Sequence, residues 1–261
     1  MERKRLFYDI ETSFCEGHFW RAGWNQTIMP HQIMRYAQII SVSWKWEGKD
    51  EVLHHLDWGL KKQCDKQLVK KFIKVLDQAD EIVAHNGDRF DIKWIRTRAV
   101  FHNLEMKHTY NSIDTLKACK KYLTLPSNKL SEVAKYFNVQ QKRDAGGIQT
   151  WIDIVFNKSK EALEHMHYYC DGDVQTLEQV YQRLSPYIKR NINYAVLQGG
   201  EKFECPECGK LPHYKYKYTT VAGTIQHHLQ CSDRDVCRTL FKVNNKTYMD
   251  YLQFKMVNNI R

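Results

Sequence analysis

A chain of 261 residues with 43% hydrophobic and 27% charged residues is long enough for one substantial domain with a small appendage, or for two small domains. The composition is ordinary for a soluble globular protein, and no apolar run could span a bilayer. A net charge of +10, with Lys and Arg spread along the whole chain, points to a polyanionic partner as readily as to a solvated surface.

The opening MERKRLFYDIETS starts like a signal peptide, but Asp9 and Glu11 break its apolar stretch within a few residues, so the chain is expected to be soluble and intracellular. The eight cysteines form two populations: Cys15, Cys64, Cys119 and Cys170 are scattered, whereas Cys205, Cys208, Cys231 and Cys237 crowd the last quarter. In an intracellular protein such clustering favours metal binding over disulfides.

In chain order, LFYDIET is the first predicted strand. After a loop rich in Gly, His and Trp, the alternation of Ile40, Val42, Trp44 and Trp46 predicts a strand, a turn at Gly48 and a second strand. An amphipathic helix is predicted from about Lys66 to Leu76, then a short strand EIVAHN and a helix from Phe90 to Phe101. NSIDTL is a fifth candidate strand with Asp114 capping the segment after it, and SNKLSEVAKYFN opens with a capping signal at Ser127 or Asn128. A last long helix is predicted from Ser159 to Leu184. A hairpin and then strands alternating with helices imply an α/β fold, a mixed sheet flanked by helices. Periodicity stops near YAVLQGGEKFEC, and Gly199 and Gly200 supply a joint. The boundary is therefore placed between a first domain, 1–198, and a second, 199–261. No internal repeat or low-complexity stretch is present.

Three elements aim carboxylates inward. A period of two puts Phe7, Asp9 and Glu11 on one strand face. Asp91 lies one turn from Trp94 and Ile95 on the apolar stripe of its helix, and Asp173 falls inside the stripe formed by Met166, Tyr169, Cys170, Val174, Leu177, Val180, Tyr181 and Leu184. Burying ionised carboxylates costs several kcal/mol or more without a counter-charge. No basic residue shares those stripes nearby, and the oxygens of Asp and Glu are the hard ligands preferred by Mg²⁺ or Mn²⁺. A single such acid would more often be an edge charge or a helix cap; the reading rests on the set.

YDIET, then HNGDRFD with its spacing from Asn86 to Phe90 and Asp91, then YCDGD with Tyr169 four residues before Asp173, together resemble in order the three motifs of the DEDDy 3′-5′ exonucleases of the ribonuclease H-like (DnaQ-like) superfamily. That group includes the proofreading domains of family B DNA polymerases. The stretch EHMHYYCDGDVQTLEQVYQRLSPY with a cysteine-rich tail is especially similar to stand-alone relatives from bacteria and phages, which implies a cytoplasmic location in a bacterial or phage-infected cell. The resemblance covers roughly the first 185 residues and, more loosely, the tail. It implies a ribonuclease H-like sheet and two divalent ions about 4 Å apart clamping the scissile phosphodiester. Asp9 would bridge the ions, Glu11 and Asp173 would serve the ion on the nucleophile side, Asp91 would serve the other through waters, and Tyr169 would hold the attacking water. Thr12, Asn86 and Phe90 are the expected contacts to the substrate end, although a Phe at a helix start is more often core. Of the two acids in the third motif, only Asp173 has Tyr169 one turn before it and lies on the stripe. Tyr168 stands where a DEDDh enzyme would have His, and His165 and His167 are expected at the surface. Asp88 is read as a cap or supporting residue, and Asp114 as a cap.

In the tail, CPECG is a tight knuckle, and with CSDRDVC it predicts a tetrahedral Zn²⁺ site of Cys205, Cys208, Cys231 and Cys237, a zinc ribbon. The C-x5-C spacing of the second pair departs from the usual ribbon, so His213, His227 and His228 stay open as substitutes. In HYKYKYTT, alternation gives one Tyr face and one Lys face, so Lys215 and Lys217 are candidates for phosphate contact beside stacking tyrosines, or else serve only to neutralise the zinc site.

These readings lead to an exonuclease that trims nucleic acid, DNA rather than RNA, from its 3′ end and releases nucleoside 5′-monophosphates, with two Mg²⁺ or Mn²⁺ and one structural Zn²⁺. A replication or repair protein is a candidate partner, and no membrane association is expected. The alternatives are an endonuclease or RNA-trimming nuclease with the same site, and a non-catalytic nucleic-acid-binding module.

Overall fold

The computed structural model describes residues 3–21, 27–55, 58–107, 109–139, 146–188, 192–233 and 237–260. Two compact units emerge, Glu2–Tyr187 and Ile188–Arg261. The division falls at Tyr187/Ile188 rather than at the Gly199–Gly200 joint, because the short helix Tyr194–Leu197 belongs with the tail: the Tyr194 N–H donates to Pro206 O at 2.9 Å and the Gly200 N–H to Ala195 O at 2.8 Å.

In the larger unit, β1 (Arg5–Thr12) is the middle of a five-stranded sheet. A separate two-stranded sheet, β2 (Glu16–Gly17) with β3 (Ile33–Arg35), leads to β4 (Ile39–Trp46) and β5 (Leu53–His55), which flank the turn at Gly48. Gly48 has φ +75°, a backbone region that Gly enters without a Cβ penalty. Next along the chain come α1 (Lys66–Leu76), β6 (Glu81–Ala84), α2 (Asp91–Phe101), β7 (Asn111–Asp114), α3 (Thr115–Tyr122), α4 (Leu130–Tyr136), α5 (Gly147–Val155) and α6 (Lys160–Leu184). The sheet order is β5-β4-β1-β6-β7, antiparallel from β5 to β1 and parallel from β1 to β7. It is the mixed sheet expected from the hairpin and the alternating elements.

Residues of β1 and β4 belong to a core that is closed on one side by α1, where Phe72 lies 5.7 Å from both Tyr8 and Trp44 between ring centroids. On the other face α6 lies across β1 and β4, with Tyr181 edge-on to Phe7 at 5.4 Å and Lys45 paired with Glu178. Its buried residues Leu163, Met166, Cys170, Val174, Leu177, Tyr181 and Leu184 recur every three or four positions, and Ser159 Oγ caps it by accepting from the Ala162 N–H at 3.1 Å. For α4 the capping residue is Lys129 rather than Ser127 or Asn128; Ser127 Oγ accepts from the Lys129 N–H, short of the helix itself.

The smaller unit contains α7 (Tyr194–Leu197), β8 (Pro212–Thr219), β9 (Ile225–Cys231), β10 (Leu240–Asn244) and α8 (Asn245–Val257), with strand order β10-β9-β8, all antiparallel. Strict alternation in β8 is broken by a bulge between Tyr214 and Tyr216. Tyr214 therefore turns to the α8 side, 5.2 Å from Tyr248, while Tyr216 and Tyr218 stay on the opposite face, so the tyrosines do not share one face.

Candidate active site and metal centres

Asp9 and Glu11 point from β1 toward α6. Carboxylate oxygens of Asp9, Glu11 and Asp173 all lie within 4.8 Å of one another. Strand alternation brings the first two to one face, and the buried stripe of α6 delivers the third, which is only 3% exposed. Asp171, two residues earlier, faces elsewhere: Ser43 Oγ donates to its Oδ1 at 2.6 Å, and His54 Nδ1 lies 3.1 Å from its Oδ2. Tyr169 is half-buried one turn before Asp173, and Tyr168 is exposed.

Asp91 stands outside that set of three. The β1–β6 pairing ends at Phe7↔Val83, and beyond it the Ile10 N–H donates to Asp91 Oδ1 at 3.2 Å, between the two strand acids. Burial pushes the Asp91 carboxyl up to about 7, with hydrogen bonds from its own and the Ile10 N–H opposing and the Asp114 charge adding to the rise.

The turn before Asp91 explains its neighbours. Asn86 has φ +72°, a left-handed conformation that Asn tolerates better than most residues, and its carbonyl accepts from the Arg89 and Phe90 N–H groups. Gly87 permits a close approach: a Cβ there would sit 2.4 Å from Ala84 Cβ. Asp114 caps α3 through the Leu116 and Lys117 N–H groups and also accepts from the Asn86 N–H at 3.0 Å, so one carboxylate ties β7 to the turn. Asp88 is engaged by Ser112 Oγ (2.5 Å) and Lys117 Nζ (2.6 Å). Phe90 is not core: it is 38% exposed, edge-on to Trp94 at 6.3 Å. Thr12 is half-buried, and its carbonyl accepts from Trp151 Nε1 of α5 at 2.9 Å.

Several residues around the acids carried no signal of their own in the sequence. Ser43 pairs with Asp9 and Ser41 with Glu11 across the β1–β4 ladder, so both face α6. Period-two alternation of ISVSW, laid against DIET, is the one clue to them. Cys170 points its thiol at Asp9, 3.4 Å from the carbonyl and 3.7 Å from Oδ2, and its pKa is raised well above the usual value by burial and then by the Asp9 and Glu11 charges. His167 is buried rather than on the surface: Nδ1 lies 2.7 Å from Ser41 Oγ, the ring stacks on His54 at 5.2 Å, and burial with the His54 charge lowers its pKa to about 4. His165 is exposed, as expected.

In the smaller unit the four clustered cysteines converge. Cys205 and Cys237 sulfurs are 3.6 Å apart, those of Cys208 and Cys231 3.4 Å, and all four lie within 4.8 Å of one another. The protons are shared unevenly: the hydrogen bond with Cys205 holds the Cys237 thiol down to about 4, while the same contact raises Cys205 well above its usual value and burial pushes Cys231 up to about 12, so a Zn²⁺ would have to displace protons from the cluster. None of the histidines is in this set. His227 stacks on Tyr248 at 3.9 Å and reaches Asn245 Oδ1 at 2.9 Å, and His228 stacks on Tyr216. The arrangement is compatible with a zinc ribbon. Donor chemistry fits in both places: hard oxygens for Mg²⁺ or Mn²⁺ in the first, four sulfurs for Zn²⁺ in the second. A third grouping among the described residues, Cys64, Asp65 and His102, is closed to a cation because Arg98 occupies Asp65 with two hydrogen bonds.

No helix among the described residues is long and apolar enough to cross a membrane. No protein of curated function matches the sequence. Among solved structures, a family B DNA polymerase from the hyperthermophilic archaeon Pyrobaculum calidifontis is similar, with TM-score 0.52 and 17% identity over 72% of this chain. The match takes in 25% of that polymerase, so the chain spans far less than its whole length, and the likeness is one of fold. The family model described as RNase_H superfamily matches residues 35–185, more than half of the chain, and begins after β1 with its two acids. By that match and by its mixed sheet, the chain belongs to the RNase_H superfamily.

Proposed function

We propose that this protein is a metal-dependent 3′-5′ exonuclease that hydrolyses phosphodiester bonds of nucleic acid, single-stranded DNA foremost, and releases nucleoside 5′-monophosphates. The fold fits a nuclease, and one observation carries the reading: carboxylate oxygens from β1 and α6, drawn from Asp9, Glu11 and Asp173, meet within 4.8 Å. Charges of one sign packed this closely repel unless a cation joins them.

Asp9, Glu11, Asp91 and Asp173 would hold two Mg²⁺ or Mn²⁺. Such ions, when bound, supply Lewis-acid stabilisation of the phosphate and an acidified water. Asp91, buried and raised in pKa to about 7, would be held ionised near neutrality by a neighbouring cation. Tyr169, one turn from Asp173, would orient the attacking water through its phenol oxygen. The exposed ring of Phe90 offers a face to a terminal base, and Asn86 and the Thr12 backbone would contact the same substrate end. In the smaller unit Cys205, Cys208, Cys231 and Cys237 would hold one structural Zn²⁺, with Lys215 and Lys217 contributing phosphate contacts. Polarity is supported by the resemblance of the three motifs.

The test uses 5′-labelled single-stranded DNA, duplex DNA and RNA with Mg²⁺, Mn²⁺ or EDTA. A descending ladder is expected, abolished in Asp9→Ala at every metal concentration and slowed in Tyr169→Phe with metal binding intact. Cuts in mid-strand would favour an endonuclease, and Asp9→Ala as active as the wild type would end the reading.

A further inference from the structure

The face of the small sheet turned away from α8 has an organisation that the catalytic reading does not use. Across β8, β9 and β10 the register aligns two rows on this face: Tyr216, His228 and Lys242, then Tyr218, Gln226 and Asn244. The intervening positions Leu229, His227 and Cys231 are buried on the other side, where His227 and Tyr214 meet Tyr248 of α8. Tyr216 and His228 are stacked, with centroids 4.4 Å apart and planes at 15°, and Tyr218 stands edge-on to His228 at 6.4 Å. Both tyrosines remain 49% exposed. A tyrosine needed for the core of so small a unit would be covered, as Tyr251 is at 5% exposure. The bulge in β8 achieves the separation: Tyr214, 44% exposed, goes to the α8 side against Tyr248, and the two tyrosines after the bulge go to the opposite face.

Charge selects the occupant. Not one of the three strands, PHYKYKYT, IQHHLQC and LFKVN, contains a carboxylate, and of their three lysines Lys242 lies in the outer rows, Lys217 pairs with His227 on the α8 side, and Lys215 sits at the bulge. Over residues 188–261 Lys and Arg outnumber Asp and Glu by twelve to six. Ring faces beside cationic side chains, with no acid among them, match a chain of unpaired bases joined by phosphates, on which aromatic stacking and backbone neutralisation act together.

We infer that the outer face of the small sheet, built on Tyr216, Tyr218 and His228 with Lys242 at its edge, is a stacking platform for single-stranded nucleic acid. Such a platform adds a binding surface to the proposed nuclease and needs no turnover, so the test reads binding alone. Full-length protein carrying Asp9→Asn, without added Mg²⁺ or Mn²⁺ and with its Zn²⁺ retained, is titrated against fluorescent oligo-dT and oligo-rU of about twelve nucleotides and against an abasic strand of equal length.

Tyr216→Ala and Tyr218→Ala are each expected to weaken binding of the base-bearing strands about ten-fold, whereas Tyr216→Phe keeps it. The abasic strand should bind weakly to the parent and be indifferent to the tyrosine variants. Lys242→Ala should reduce the dependence of binding on salt by about one phosphate contact. Zinc analysis reports whether each variant keeps its fold; should Tyr216→Ala lose zinc, Tyr216→Leu, which retains bulk without a ring, replaces it. Binding by both tyrosine variants within two-fold of the parent, or an abasic strand bound as tightly as oligo-dT, would overturn the platform and leave the nuclease reading untouched.

Discussion

Asp65 shows what a buried acid looks like when protein groups satisfy it. It is fully buried and accepts from Arg98 Nε at 2.7 Å, Arg98 Nη2 at 2.8 Å and the Ile39 N–H at 3.0 Å, with His102 Nε2 2.6 Å away. Burial raises its pKa, but the hydrogen bonds from Arg98, His102 and Ile39 outweigh burial and hold the carboxyl below the usual 3.8. The folded state therefore binds this proton less readily than the unfolded chain. Its stabilisation is complete above that ordinary value and is lost as pH falls through the lowered one. Asp65→Asn, which strands the Arg98 charge, should cost about 3–5 kcal/mol at neutral pH and flatten the fall in stability below about pH 4; urea titrations from neutral to acid pH measure both. Around Asp9, Glu11 and Asp173 the notable feature is mutual proximity, with carboxylate oxygens of all three within 4.8 Å of one another. Motif spacing made the acids candidates, and three of them meet in the fold. The burial of His167 and the exposure of Phe90 were illegible, because each depends on which neighbour covers the side chain rather than on its own place in a helix.

At the scale of elements, the β6–α2 turn sets where Asp91 can reach. Gly87 is the critical position, since a methyl group there meets Ala84 Cβ at 2.4 Å and Ala84 is held in the sheet opposite Asp114. Gly87→Ala is expected to destabilise the larger unit by about 1–3 kcal/mol and to displace Asp91 from the Ile10 N–H, read by denaturant melting and by a weakened response to Mn²⁺. Helices α1 and α6 were readable because each buries one face and so writes its period into the sequence, and β1 and β4, covered on both faces, were readable as short apolar runs. Helix α5 was not. Its apolar residues Ile148, Trp151, Ile152, Ile154 and Val155 do share one side, with Gln149, Thr150 and Asp153 on the other, but the segment is only nine residues long, too short for its period to stand out, although it braces the end of β1 through Trp151. The bulge in β8 was equally silent, for nothing in YKYKY marks the residue at which pairing slips.

For the whole molecule, two units with different donor sets should respond separately to metals. Mn²⁺ at about a hundred times its dissociation constant is expected to stabilise the unit Glu2–Tyr187 by about 2.7 kcal/mol, a rise in melting temperature of roughly 5–10 °C, and Asp9→Ala should abolish the shift. Removal of zinc by a strong thiolate-competing chelator should melt the unit Ile188–Arg261 while the transition of the larger one persists; calorimetry with and without chelator distinguishes them. A single transition insensitive to both treatments would contradict the assignment of metals to these sites. What could be read from the linear chain was local: strand and helix periods, the order of the three acidic motifs and the cysteine spacing, since each is imposed by short-range geometry. Folding in three dimensions decided the rest. It set Asp91 apart on the Ile10 N–H, drew the four cysteines together without a histidine, and turned two of the three β8 tyrosines outward. Those outcomes depend on distances between residues far apart in sequence, and such distances exist only once the sheet and its covering helices have packed.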